Sequence, residues 1–134
     1  MEELNLTIDH VTLSVADLDR AKAFYALALG PLGLALVSEI SAEMSGDVAL
    51  VGFGIGRKGT LWLAARGRQT PPTHICFRGR TRSAVRDFYN AALKAGGVDN
   101  GAPGPRTEYH EAYYAAFVLD PDGNNIEAVC FEPD

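Results

Sequence analysis

The chain carries one pattern written twice. His10 and His74 stand 64 positions apart, and at the same offset Phe24–Tyr25 meets Phe88–Tyr89, Leu29 meets Leu93 and Gly33 meets Gly97. A histidine, an aromatic pair and a glycine held in one register mark an internal duplication, which narrows the possible folds more than any composition does. Each half reads as a strand, a helix and three further strands, with Pro71 and Pro72 at the seam.

The first half opens on residues 6–15, LTIDHVTLSV, whose β-branched content and alternation predict a half-buried strand. Val11, Leu13 and Val15 share one face; His10, Thr12 and Ser14 share the other. Asp17 is placed to cap a helix whose apolar positions are Leu18, Ala21, Tyr25, Ala28 and Leu29, and Gly30 and Pro31 stop it. Strands are expected over 34–39, 48–55 and 60–65. The second half opens on a strand over 73–77, with His74 and Cys76 on one face and Ile75 and Phe77 on the other. Thr81 or Ser83 can cap the second helix, and Gly96 and Gly97 end it. A short strand near Val98 and a Gly/Pro loop over 101–106 lead to the closing pair of strands, joined at Asp120–Pro121–Asp122–Gly123. That order suits a type I turn.

Glu127 stands in the last strand inside an apolar run, where an unpaired carboxylate is costly. Asn125, Glu127 and Val129 share one face; Ile126, Ala128 and Cys130 share the other. If helices cover the aliphatic face of each half, His10, His74 and Glu127 all point to the opposite, concave side. Two imidazoles and a carboxylate there make a facial metal triad with positions left open for substrate or water. The plainer alternative pairs Glu127 with an arginine such as Arg78 and leaves both histidines as rim residues. Cys76 shares the His74 face and could serve as a soft ligand, but it reads first as a small buried hydrophobe, and Cys130 reads as core. Subtracting the offset from Glu127 arrives at Leu63, so a second carboxylate is expected to be missing. Trp62, of opposite parity, is expected under a helix or at a dimer seam.

A net charge of −5 argues against nucleic acid and anionic membrane partners. No apolar run reaches the length of a membrane span, and two cysteines form no disulfide framework, so a reduced cytoplasmic protein is expected.

On DHVTLSVADLDRAKAFY, THICF with its later DFY, and FVLDPDGNNIEAV, the chain resembles the vicinal oxygen chelate superfamily of glyoxalase I, bleomycin-resistance proteins and extradiol dioxygenases. The resemblance covers nearly the whole chain. It implies an α+β fold of two tandem βαβββ modules, about 5–66 and 72–132 of a single 1–134 domain. These would form a cupped mixed sheet with helices on the outer face, often as a homodimer. It puts the metal ligands on His10, His74 and Glu127, and the metal would be Fe2+, Mn2+, Ni2+ or Zn2+. Leu63 stands where a glyoxalase I usually has glutamate, which weakens an isomerase reading. In the extradiol dioxygenase pattern His110 falls at the place of an acid or base acting with Glu127. Ala116 and Phe117 replace the aliphatic–tyrosine pair, and Tyr109, Tyr113 and Tyr114 are left as possible sources of a phenol. The resemblance therefore implies a divalent-metal-dependent enzyme acting on a small oxygen-chelating substrate, either dioxygenase-like or lyase/isomerase-like. The alternative it offers is a metal-free, antibiotic-type small-molecule binder.

Overall fold

A computed structural model of the chain describes residues 7–133. The first half comprises β1 (Val11–Ser14), α1 (Leu18–Leu29), β2 (Ala35–Ile40), a one-turn α2 (Ala42–Ser45), β3 (Leu50–Ile55) and β4 (Lys58–Ala64). The second comprises β5 (His74–Arg78), α3 (Arg82–Lys94), β6 (Val98–Pro105), β7 (Tyr114–Leu119) and β8 (Asn125–Cys130). The duplication is visible in the sheets, which run β1-β4-β3-β2 and β5-β8-β7-β6. In each half the first strand lies parallel to the last, and the remaining pairs are antiparallel.

Local chemistry sets the helix boundaries. The Asp17 carboxylate accepts from the Arg20 N–H at 3.1 Å, and the Thr81 hydroxyl, not Ser83, accepts from the Ala84 N–H at 3.0 Å. Pro31 turns the end of α1 into a 3-10 turn that closes at Gly33, whose φ of +88° suits glycine. The repeat partner Gly97 is glycine for another reason. A Cβ there would lie 2.9 Å from the Ala92 carbonyl oxygen and 3.0 Å from the Phe24 ring of the other half. Two elements depart from expectation. α2 lies between the strands expected over 34–39 and 48–55, where no helix is expected, and is capped by Ser41. The Gly/Pro stretch 101–106 is largely strand, because β6 pairs with β7 through two register shifts that absorb its irregular residues.

The halves meet through their helices. α1 packs on α3, and one core takes in Phe24, Leu29 and Leu63 from the first half with Phe88, Ile126 and Ala128 from the second. Fully burying the phenylalanine, leucine and isoleucine side chains of this core stabilises by about 1.5–3 kcal/mol each. Among the described residues no strand pairing joins the two sheets. The face of each sheet opposite its helix is therefore turned away from the shared core. No helix among the described residues is long and apolar enough to cross a membrane.

Candidate functional site

Glu127 is the centre of the outward face of the second half. The register of β8 on β5 places it beside Cys76, and its register on β7 places it beside Phe117. It is 2% exposed, and both carboxylate oxygens are engaged. Oε1 lies 2.8 Å from His74 Nε2, and the Tyr113 hydroxyl donates to Oε2 at 2.5 Å. Burial, then the hydrogen bond and charge of Glu127, push the Tyr113 phenol up from its ordinary value, so it keeps its proton and acts as a donor. Arg78 is not the partner of Glu127. Its guanidinium lies 4.8 Å over the Phe131 ring instead.

Cys76 completes this cluster. Burial of its sulfur pushes the thiol up to about 12, and the negative charge and hydrogen bonding of Glu127 add to the shift. The residue as a whole is exposed and is not the buried hydrophobe expected, because β5 presents it on the face away from the helix. Alkylation by iodoacetamide is therefore expected to remain slow at neutral pH and to keep rising about tenfold per pH unit beyond pH 9, the ordinary thiol value. Peptide mass spectrometry distinguishes Cys76 from buried Cys130, and a rate that levels off near pH 9 would contradict the geometry. Glu127→Gln should bring the plateau to lower pH.

His110 stands apart from this cluster. Its Nδ1 accepts from the Ala112 N–H at 2.9 Å, which leaves the proton of the neutral ring on Nε2. Its ring meets Phe131 edge-on at 5.5 Å, and Phe131 in turn meets Tyr113 at 5.3 Å. The imidazole is thus one aromatic ring removed from the phenol that holds Glu127. Tyr113, one of three tyrosines that spacing left undecided, supplies the contact.

His10 lies on the outward face of the other half. It lines a cavity of about 460 Å³ with Thr12 and Trp62, and that cavity contains no described residue of the second half. Its Nδ1 lies 2.6 Å from an Asp9 carboxylate oxygen, and Lys58 bonds to the same oxygen. Among the described residues no three His, Cys, Asp or Glu side chains gather closely enough to hold a metal. Within one chain the expected trio is therefore divided: His74 and Glu127 meet, and His10 does not join them. Parity assigned all three to the correct faces, but the docking of the halves through α1 and α3 turns those faces away from the shared core.

The missing carboxylate is also relocated. Leu63 is fully buried beside Leu13 on the helix side and never faced the site. The residue facing Thr12 across β1 and β4 is Trp62, as Glu127 faces Cys76 across β5 and β8. Thr12 and Cys76 stand 64 positions apart, but Trp62 and Glu127 stand 65 apart. One extra residue between the first and last strands of the second half shifts the offset by one and reverses every face. Trp62 is the counterpart of Glu127 and lies in the cavity, not under a helix.

The family model for the Glyoxalase/Bleomycin resistance protein/Dioxygenase superfamily matches residues 7–128. A comparison with curated proteins finds no match. Among solved structures, a glyoxalase/bleomycin resistance protein from Albidiferax ferrireducens T118 is 26% identical with a TM-score of 0.72, over 93% of this chain and 98% of that one. A lactoylglutathione lyase from Agrobacterium tumefaciens is 21% identical with a TM-score of 0.65, over 96% of each chain. Glyoxalase I from Zea mays is 19% identical with a TM-score of 0.70, over 95% of this chain but 45% of its own length. The last two likenesses are of fold.

Proposed function

The chain belongs to the Glyoxalase/Bleomycin resistance protein/Dioxygenase superfamily, and on that footing we propose that it is a divalent-metal-dependent enzyme acting on a small oxygen-chelating substrate. Its metal site would be completed between two copies of the chain, in a reducing, cytoplasmic setting that keeps both thiols free. The observation that carries this reading is the outward pairing of His74 with Glu127 on one half while His10 faces outward on the other. A two-fold arrangement lets each copy give His10 to one site and His74 with Glu127 to the other.

The donor set fits such a metal. Imidazole nitrogen and carboxylate oxygen suit Fe2+, Mn2+, Ni2+ and Zn2+ alike. Metal-binding histidines commonly engage a carboxylate through their other ring nitrogen, and Asp9 holds His10 Nδ1 in that way, leaving Nε2 to the site. Tyr113 plays the corresponding part for Glu127 by orienting its carboxylate. The bound metal would supply Lewis-acid polarisation of substrate oxygens.

With Trp62 opposite Thr12, each site has one carboxylate at this level of the sheet. A reaction shuttling a proton between two carboxylates therefore lacks its second partner, and a dioxygenase-like reaction fits better. A lyase or isomerase would have to move its proton with Glu127 and the protonated Tyr113 hydroxyl. One observation favours the metal-free binder as a second reading: both Glu127 oxygens are already satisfied by protein donors.

Elemental analysis of protein purified without a metal-affinity resin tests the proposal. Bound divalent metal is expected; none, with none recovered on addition, would leave the binder. Oxygen uptake with a panel of catechols after anaerobic Fe(II) loading then separates the dioxygenase from isomerisation of the methylglyoxal–glutathione hemithioacetal.

A further inference from the structure

Trp62 is the sole tryptophan of the chain, and it lies flat. A Cβ built on Gly52 would sit 3.0–3.1 Å from indole Cη2, Cζ3 and Cδ2, and one built on Gly59 would sit 2.8–2.9 Å from Cε2, Cζ2 and Nε1. Near-equal distances from one point to three ring atoms place that point under the ring, not at its edge. Gly52 is the direct cross-strand partner of Trp62, and Gly59 is brought under the ring by the register shift between Phe53 and Gly54. The two glycines thus form a bed for one face of the indole, and Trp62, half-buried, lines the cavity beside them. Any larger residue at either position would lift the ring off the sheet.

The same cavity has a cationic rim. Arg57 stands in the two-residue loop between β3 and β4, where Gly56 takes a φ of +66°, and Lys58 follows it. Lys58 is paired with Asp9, whereas Arg57 has no ion pair among the described residues. Among the described residues lining the cavity, two cations against one carboxylate leave one positive charge in excess beside the indole. Ile40 and Leu50 supply an apolar wall.

We infer that this cavity is a subsite for a planar aromatic anion, whose ring stacks on Trp62 and whose carboxylate pairs with Arg57. Offset stacking uses the indole face opposite the glycines. A guanidinium meets a carboxylate with two parallel hydrogen bonds, which fixes the ring's orientation. The inference deepens the metal-enzyme reading and rests on it in one respect. His10 lines the same cavity, so oxygen substituents on the bound ring would be carried to the metal site.

The test uses the chain stripped of metal by a chelator, with 2-naphthoate as the probe followed by calorimetry. The single indole N–H signal of Trp62 in a proton–nitrogen correlation spectrum should move on binding. Trp62→Leu should weaken 2-naphthoate about tenfold. Arg57→Gln should weaken it several-fold and reduce the salt dependence. Cyclohexanecarboxylate, which keeps the charge, and 2-naphthalenemethanol, which keeps the plane, should each bind more weakly than 2-naphthoate. Gly59→Ala should also weaken it by tilting the indole, with the stacking residue still present. Absence of binding by the unaltered chain, an unmoved indole signal, or unchanged affinity in Trp62→Leu would overturn the inference. Metal content measured on the same preparations separates the two readings. A chain that takes up no metal yet binds 2-naphthoate through Trp62 keeps the subsite and loses the metal enzyme. A metal-holding chain whose 2-naphthoate affinity ignores Trp62 does the reverse.

Discussion

Glu127→Ala is expected to leave the protein folded and without bound metal. Loss of a residue that merely supports a metal ligand costs about 10–100-fold in affinity, and Glu127 is proposed as a ligand itself, so the loss should be at least ~100-fold. The fold should survive because two opposed terms nearly cancel. The variant forfeits hydrogen bonds to His74 and Tyr113, and it removes a carboxylate that is 2% exposed. A change in Tm within roughly 5 °C follows. Unchanged metal content would make the carboxylate structural. The proposed division of the site between copies makes a sharper test. His10→Ala should also lose its metal, and when the two variants are unfolded together and refolded, half the dimers are hybrids with one intact site of two. About a quarter of the sites should then recover metal. No recovery, with hybrids demonstrated by mass, would mean that His10 does not share a site with Glu127 of another copy.

Asp120→Ala is expected to destabilise the protein by about 3–5 kcal/mol, lowering Tm by roughly 10 °C or more. Asp120 is 5% exposed and accepts from four groups. These are the Tyr25 hydroxyl at 2.5 Å, the backbone N–H of Asp122 at 3.0 Å and of Asn124 at 2.8 Å, and the Asn124 side-chain amide at 3.0 Å. Alanine would leave these donors buried without an acceptor. The turn reaches further through its neighbours. Asp122 accepts from Arg20 and from the Ala16 N–H, and Asn124 accepts from the Thr73 N–H. One turn between β7 and β8 thus ties the entry of α1 to the start of β5 and sets how the halves dock. Tyr25→Phe, which removes one donor, should cost about 1 kcal/mol. Thermal unfolding followed by circular dichroism measures both, and equal losses would show that the turn's own bonds count for little.

Tyr25 also gives this region a pH dependence. Burial first, then Asp120, raises its phenol well above 10, so the folded protein keeps a proton that the unfolded chain loses near pH 10. Its contribution is complete below pH 10 and falls as pH rises beyond it. Tyr25→Phe should flatten part of the alkaline loss of stability.

Much of the fold is legible in the sequence because its signals are local. The helix caps at Asp17 and Thr81, the alternation of β1 and β5 and the apolar run of β8 act over a few residues. The repeat then extends one half's reading to the other. Residues 98–105 carry no such local signal, since glycine and proline spell a loop unless a partner strand supplies hydrogen bonds across irregular register. Tyr113 was visible as one of three tyrosines, and no spacing rule reveals which hydroxyl reaches Glu127.

Residue pattern alone specifies two repeated halves and sets His10, His74 and Glu127 facing away from the aliphatic core. Side-chain parity follows from strand geometry alone. The tertiary structure decided what those faces meet. One added residue exchanged Leu63 for Trp62 as the counterpart of Glu127, because a shift of one reverses a strand's faces and a fixed offset cannot register it. The packing of α1 on α3 turned the two faces outward, so within one chain the expected trio of His10, His74 and Glu127 is divided. That packing is a contact between residues far apart in the chain, and no local pattern encodes it.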